Sequence, residues 1–161
     1  PCMAKQLVIR PEKCVNCRTC ELVCSFGHKG HFNPGESAVK VLDFEEAALS
    51  LPVMCLQCEQ AFCLAVCPKE AISRDASGAT VIDPEKCIGC KKCVKACPYD
   101  GIRFLRKERR VFKCDLCGGD PKCAAFCPTQ AITFVEAGEA GESRAEMLDN
   151  IENILKREAR A

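Results

Sequence analysis

Apolar positions along this chain fall into short runs separated by turn-forming residues, and only the C-terminal segment carries a helical period. Residues 71–74 and 79–83 flank Asp75-Ala76-Ser77-Gly78, which predicts a β-hairpin closed by a Gly-ended turn. Ile102 and Val111-Phe112 flank the charged run Arg103-Phe104-Leu105-Arg106-Lys107-Glu108-Arg109-Arg110, which predicts a second hairpin. Its charged tip reads as a solvated turn in preference to a docking site for an acidic partner. Residues 38–44 predict a further strand. The Gly/Glu/Ala-rich residues 136–142 read as a linker, and Ser143-Arg144-Ala145-Glu146 fits a capping box. Met147, Leu148, Ile151, Ile154 and Leu155 then form one apolar stripe at helical spacing. The longest near-apolar stretch, residues 47–56, contains Ser50 and Pro52 and is half a membrane span, so no transmembrane helix is expected.

Composition narrows the picture. A chain of 161 residues allows one ordinary domain or two small ones. A formal net charge of +1 offers no electrostatic footprint for nucleic acid or an anionic membrane. Residues 1–11 have neither an apolar core nor a twin arginine, so no export signal is read and a cytoplasmic location is expected. With no Trp, one Tyr and eight Phe the packed core looks thin, so something besides side-chain packing is expected to hold the chain together.

The seventeen cysteines supply that something. Sixteen form four quartets: Cys14, Cys17, Cys20, Cys24; Cys55, Cys58, Cys63, Cys67; Cys87, Cys90, Cys93, Cys97; and Cys114, Cys117, Cys123, Cys127. Cys2, outside them, reads as a spare thiol. Disulfides need an oxidising compartment that the chain has no signal to reach. Zinc takes two C-x2-C knuckles, for which a third, closely following cysteine is redundant. A cubane cluster instead takes three thiolates from one tight loop and a fourth from elsewhere. In the bacterial C-x2-C-x2-C-x3-C-Pro run that fourth thiolate ligates the other cluster of a pair. The first and third quartets have this spacing, and the last three end in Cys-Pro at Pro68, Pro98 and Pro128, where proline stops a helix. Four triplets imply four 4Fe–4S clusters.

Repeats indicate duplication. Ile9-Arg10-Pro11-Glu12-Lys13-Cys14 is echoed by Ile82-Asp83-Pro84-Glu85-Lys86-Cys87, and Cys67-Pro68-Lys69-Glu70-Ala71-Ile72 by the segments from Cys97 to Ile102 and Cys127 to Ile132. The hairpin between Cys67 and Cys87 joins the second and third quartets as one two-cluster unit, leaving the first and fourth to form another around it. The tandem alternative has a poorer linker, with 30 residues between Cys24 and Cys55. In the nested scheme one cluster takes Cys14, Cys17, Cys20 and Cys127, and its neighbour Cys114, Cys117, Cys123 and Cys24. In the inner unit one takes Cys55, Cys58, Cys63 and Cys97, and the other Cys87, Cys90, Cys93 and Cys67.

The quartets, the run Leu51-Pro52-Val53-Met54-Cys55-x-x-Cys58, and Cys87-Ile88-Gly89-Cys90-Lys91-Lys92-Cys93 resemble the four-cluster ferredoxin-type electron-transfer subunits of molybdenum or tungsten pterin oxidoreductases. Those enzymes include formate dehydrogenases, dimethyl sulfoxide reductases and aldehyde oxidoreductases; similar small subunits accompany hydrogenases and carbon monoxide dehydrogenase. The resemblance covers residues 5 to about 135 and implies the same nested pairing. It implies an α+β fold, a duplicated bacterial ferredoxin-like arrangement with short hairpins and short helices plus a C-terminal helix. Residues 5–50 and 103–135 would form the outer unit, 51–102 the inner unit, and 136–161 the linker and a partner-binding helix. Two departures stand out: Ser25 replaces the proline expected after Cys24, which predicts a looser turn, and the export signal and membrane tether of respiratory members are not found.

The expected function is a relay and not an enzyme by itself. A chain of this length has a radius of gyration of about 15 Å, and four stations divide its width into short electron hops. No G-x-G-x-x-G or Walker A loop suggests a nucleotide site. Four all-thiolate clusters at about −2 each bring the loaded chain to about −7; Lys86, Lys91, Lys92 and Lys95 read equally as a partial offset of that charge and as a solvated face. His28 and His31, in Gly27-His28-Lys29-Gly30-His31-Phe32, read as polar loop residues over a metal pair. The partners implied are a catalytic redox subunit, by resemblance a pterin enzyme such as aldehyde oxidoreductase, and a further electron acceptor, with head-to-tail self-association permitted. Three alternatives stay open: a free polyferredoxin, the small subunit of a hydrogenase or carbon monoxide dehydrogenase, and a zinc-stabilised interaction module.

Overall fold

The computed structural model describes residues 5–136 and 144–158. Four antiparallel strand pairs and four short helices make up the body. Strand β1 (Lys5–Ile9) lies near one end of the sequence, yet it pairs with β8 (Ile132–Glu136) in the register Lys5↔Glu136 to Ile9↔Ile132. Strand β2 (Lys40–Phe44) pairs with β3 (Leu49–Val53), within the region expected to hold a strand; β3 itself lies in the apolar stretch before Cys55. The two predicted hairpins are β4 (Ile72–Arg74) with β5 (Thr80–Ile82), and β6 (Ile102–Leu105) with β7 (Arg110–Lys113). Asp75 accepts from the N–H groups of Ser77 and Ala79 and so closes the first of these turns.

Helices α1 (Thr19–Lys29), α2 (Phe62–Ala65), α3 (Lys92–Ala96) and α4 (Lys122–Ala125) each carry the third cysteine of a quartet. The last three stop after one turn, just before Cys-Pro, because proline's ring disfavours helical backbone at the preceding cysteine. Helix α1 does not stop. Ser25 keeps an amide where proline would remove it, and its buried hydroxyl donates to the Leu22 carbonyl and accepts from the Asn33 amide. The result is a helix that runs on through Lys29 to Gly30, in place of the looser turn expected there. His28 consequently lies on a helix and not in a loop.

Helix α1 packs against α4, and α2 against α3. The main apolar core gathers Leu7, Val8 and Ile9 of β1, Val41 of β2, Leu51 and Val53 of β3, and cysteines of three quartets. Helix α5 (Arg144–Glu158) joins the same core through Met147 and Ile151, 3% and 2% exposed, and the Met147 Sδ lies 3.3 Å from the Ile9 amide. The expectation of a partner-binding helix is thus corrected to one that packs on its own chain: of its apolar stripe Met147 and Ile151 are buried, and Leu148, Ile154 and Leu155 are half-buried against the core. Ser143 of the capping box, residues 137–142 of the linker and Cys2 lie outside the described residues. No helix among those described is long and apolar enough to cross a membrane.

Candidate metal centres

Each cysteine loop is built from backbone that side chains disfavour. Asn16 and Arg18 in the first loop, Gln57 in the second, Lys91 in the third, and Leu116 and Cys117 in the fourth all have positive φ. For non-glycine residues this conformation costs roughly 1–2 kcal/mol each. In exchange, loop amides can reach the sulfurs, as where Leu116 donates to Cys114 Sγ at 3.4 Å, a geometry suited to anions. After each Cys-Pro the same device recurs, with Glu70, Asp100 and Gln130 left-handed. The next amide then folds back onto the cysteine: Ala71 donates to Cys67 Sγ and Gly101 to Cys97 Sγ, both at 3.3 Å.

These loops bring the sixteen predicted cysteines together in fours, and none is in a disulfide. One concave site is lined by Cys55, Cys58, Cys63 and Cys97. A second is lined by Cys67, Cys87, Cys90 and Cys93, and a third by Cys14, Cys17, Cys20 and Cys127. Around Cys123 the fourth set assembles: it feels the charges of Cys24 and Cys117 and is felt by Cys114.

Burial and mutual repulsion raise the pKa of several of these thiols. Burial, reinforced by Cys123, pushes Cys20 up to about 12, and burial with Cys24 and Cys117 does the same to Cys123. Cys93 is pushed up to about 11, chiefly by burial, and Cys114 well above its ordinary range. Cys24 goes the other way. Its burial is outweighed by hydrogen bonds from His28, Ser37 and the Ala38 amide, which lower its pKa.

His28 is where the sequence reading and the structure part. Its Nδ1 lies 2.9 Å from the Cys24 carbonyl and 3.9 Å from Cys24 Sγ, while Nε2 lies 3.1 Å from Asp115 Oδ1. Every partner is an acceptor, so both ring nitrogens carry hydrogen and the ring is an imidazolium. The Asp115 hydrogen bond, with Cys24, holds its pKa up to about 11, and the imidazolium in turn lowers that of Asp115. His28, Asp115 and Cys117 come within 4.8 Å of one another, so the pair borders the fourth cysteine set and is no separate site. His31 is remote from this group and pairs with Glu36 at 2.8 Å. The available signal was the absence of proline at position 25, which extends the helix and places His28 one turn after Cys24.

A second polar group joins the sites. Lys113, 3% exposed, donates to the Thr80 and Cys114 carbonyls. Gln57 donates to the same Cys114 carbonyl at 2.8 Å and accepts from the Thr80 amide at 2.7 Å. The Lys113 charge acts on both Cys63 and Cys114. Its burial was legible in the strand alternation, which puts Lys113 on the face of Val111; Gln57 gave no signal. The sites also neighbour one another in series. Cys20 feels Cys123, and Cys114 feels Cys55. Cys63, Cys67, Cys87, Cys93 and Cys97 surround one small apolar core.

An all-sulfur donor set, inward amides, and crowded thiols that cannot all ionise without a cation match the needs of an iron–sulfur cluster. Thr80, which lines the first site, has a buried hydroxyl without a hydrogen-bond partner among the described residues, and cluster sulfide there would give it an acceptor. The residues present fit the group.

Comparisons with known proteins agree. A 4Fe-4S dicluster domain matches residues 47–137, and a second 4Fe-4S dicluster domain matches 13–72. The polyferredoxin-like subunit of the aliphatic sulfonate oxidoreductase of Pyrococcus furiosus is 41% identical over 89 residues, covering 55% of this chain and 51% of that one. The electron transport protein HydN of Escherichia coli is 36% identical over 97 residues, covering 57% and 55%. The chain thus spans about half the length of these curated relatives. Among solved structures, a chain of the active site complex BamBC of benzoyl coenzyme A reductase superposes with a TM-score of 0.51 at 25% identity, over 95% of this chain and 91% of its own. Because the dicluster domain match at residues 47–137 spans more than half of its length, the chain belongs to the 4Fe-4S dicluster domain family: it is an iron–sulfur protein of ferredoxin type.

Proposed function

We propose that the chain holds four 4Fe–4S clusters in a row and is the relay subunit of a larger redox enzyme. The observation that carries this reading is the succession of four all-cysteine sets, each electrostatically or physically adjacent to the next. In order, they are Cys14, Cys17, Cys20 and Cys127; Cys24, Cys114, Cys117 and Cys123; Cys55, Cys58, Cys63 and Cys97; and Cys67, Cys87, Cys90 and Cys93. Pairing of β1 with β8 and packing of α1 on α4 support an outer unit wrapped around an inner one. A bound cluster accepts and returns one electron. The chain's residues hold the sulfurs, aim N–H groups at them, and place His28 and Lys113 where reduction adds negative charge.

The catalytic partner in this proposal is a tungsten or molybdenum pterin oxidoreductase, of which aldehyde oxidoreductase is one kind. Support comes from the motif resemblance. That a relative is a subunit of an oxidoreductase, and a structural neighbour part of a reductase complex, supports a catalytic partner in general.

Anaerobic reconstitution tests the relay. About 16 iron and 16 sulfide per chain, with absorption near 400 nm that bleaches reversibly on reduction, is the expected result. A colourless chain binding zinc would turn the reading to an interaction module, and about half that iron would reduce the count to two clusters. Anaerobic pull-down from the native host, with metal analysis of the captured complex, tests the partner; a loaded chain that purifies alone would be a free polyferredoxin.

A further inference from the structure

Charge is distributed unevenly over this chain. Residues 67–113 hold twelve Lys and Arg against six Asp and Glu, a formal +6, and the remaining residues carry −5. Folding concentrates the excess around the site of Cys67, Cys87, Cys90 and Cys93. The β6–β7 tip lies directly on the Cys87–Cys90 loop: a Cβ on Gly89, whose φ is +67°, would sit 2.1 Å from the Arg109 carbonyl. Lys91 Nζ lies 4.0 Å from the Phe104 ring centroid, tying the start of α3 to β6. Four cations are thereby brought around one site: Lys91, Lys92 and Lys95 on the α3 side, and Arg109 on the tip.

All four are exposed, and none forms an ion pair among the described residues. The tip's one carboxylate, Glu108, is taken by Lys29. Beside them lie Cys90, which is exposed, and Ile88, 59% exposed. A small apolar spot next to a site cysteine, with unpaired cations around it, is suited to brief, charge-steered contact.

We propose that this face docks a small acidic electron-carrier protein, making the Cys67/Cys87/Cys90/Cys93 site the terminus at which electrons enter or leave the relay. The proposal rests on the relay reading above. The transfer moves one electron from a reduced carrier to an oxidised cluster, or the reverse, with no bond made or broken and no proton required. Lysine suits the task because its hydrated ammonium steers without locking the partner. The charged tip, which the sequence suggests is a solvated turn, thus acquires a role through what it is folded against.

The test uses the full reconstituted chain and, as probe, a reduced acidic two-cluster bacterial ferredoxin, mixed in a stopped-flow spectrometer. The variant Lys92→Glu/Lys95→Glu/Arg109→Glu is compared with the unaltered chain and with Lys40→Glu on β2. Electrostatic steering is worth 10- to 1,000-fold in association rate, so the triple variant is expected to react at least tenfold more slowly at low salt. Added salt should slow the unaltered chain toward the same rate. Iron content and reduction by a sulfonated viologen should stay within twofold, and Lys40→Glu should behave as the unaltered chain. Equal ferredoxin rates in a loaded, viologen-reducible triple variant would overturn the docking face alone. So would salt-resistant binding of phosphatidylserine vesicles that the variant abolishes without any change in ferredoxin rate. A chain that takes up no iron, or iron that cannot be reduced, would overturn the relay and the docking face together.

Discussion

Replacing His28 with glutamine removes one positive charge beside Cys24 and leaves a side chain that still donates hydrogen bonds. At the observed 3.9 Å between Nδ1 and Sγ, unit charges attract by about 4 kcal/mol at an effective dielectric near 20, and by about 1 kcal/mol in bulk water. The electron added on reduction spreads over a whole cluster, so its mean distance from the ring is greater than this. Doubling the distance halves the attraction, which leaves about 0.5–2 kcal/mol, or about 20–90 mV for a one-electron step. The sign follows from charge: the imidazolium favours the more negative, reduced state, so His28→Gln lowers the potential of one cluster and leaves the others nearly unchanged. Redox titration followed by electron paramagnetic resonance resolves such a shift.

The pH dependence adds a second check. The folded pKa of His28 is raised, to about 11, so the charge is complete below the ordinary histidine value and is lost only as pH rises through the folded one. The gap between the two proteins should therefore stay constant from pH 6 to 9. A variant with unchanged or raised potentials would refute the argument, as would a gap that vanishes between pH 6 and 8.

Four further outcomes are expected. Ser25→Pro ends α1 at Cys24, removes His28 from its partners and costs roughly 3 kcal/mol of helix stability; it should lower the same cluster potential as His28→Gln and depress the thermal midpoint as well. Gly101→Ala would place a Cβ 2.7 Å from the Met54 carbonyl and 2.8 Å from Cys55 Cα, so iron per chain should fall by about one cluster's worth, four atoms, whereas Ala71→Gly at the equivalent repeat position should retain it. Lys113→Met leaves the Thr80 and Cys114 carbonyls short of a buried donor; a loss of about 1–3 kcal/mol in denaturant unfolding is expected, with lowered potentials at two clusters and not one. Ile151→Ala, at a residue 2% exposed against β1, should cost about 2–5 kcal/mol, and unchanged stability would mean that α5 does not belong to the body.

Much of this molecule is local and was therefore legible. Three cysteines within ten residues of each other form one wall of a site whatever the rest of the chain does. Asp75-Ala76-Ser77-Gly78 closes its own hairpin through hydrogen bonds no longer than four residues. The helices before Pro68, Pro98 and Pro128 end where proline's sterics end them. What was misread depended on continuation or burial. Gly27 and Gly30 made residues 27–32 look like a loop, but helix propensity is a weak local preference, and the Ser25 hydroxyl and the packing of α1 on α4 outweigh it. The stripe from Met147 to Leu155 stated that α5 must cover something and could not state what, since an apolar face is equally satisfied by its own chain or another's.

By itself, then, the sequence determined the donor type, the spacing of each loop and the chemistry those loops can hold, because these are settled by contacts between residues a few positions apart. Only the tertiary structure decided that Cys127 lies in the site of Cys14, Cys17 and Cys20, that Asp115 meets His28, that Lys113 stands among carbonyls of two segments, and that the Arg109 carbonyl closes on Gly89. Each joins residues far apart in the chain, where spacing carries no information and the shape of the packed core selects the partner.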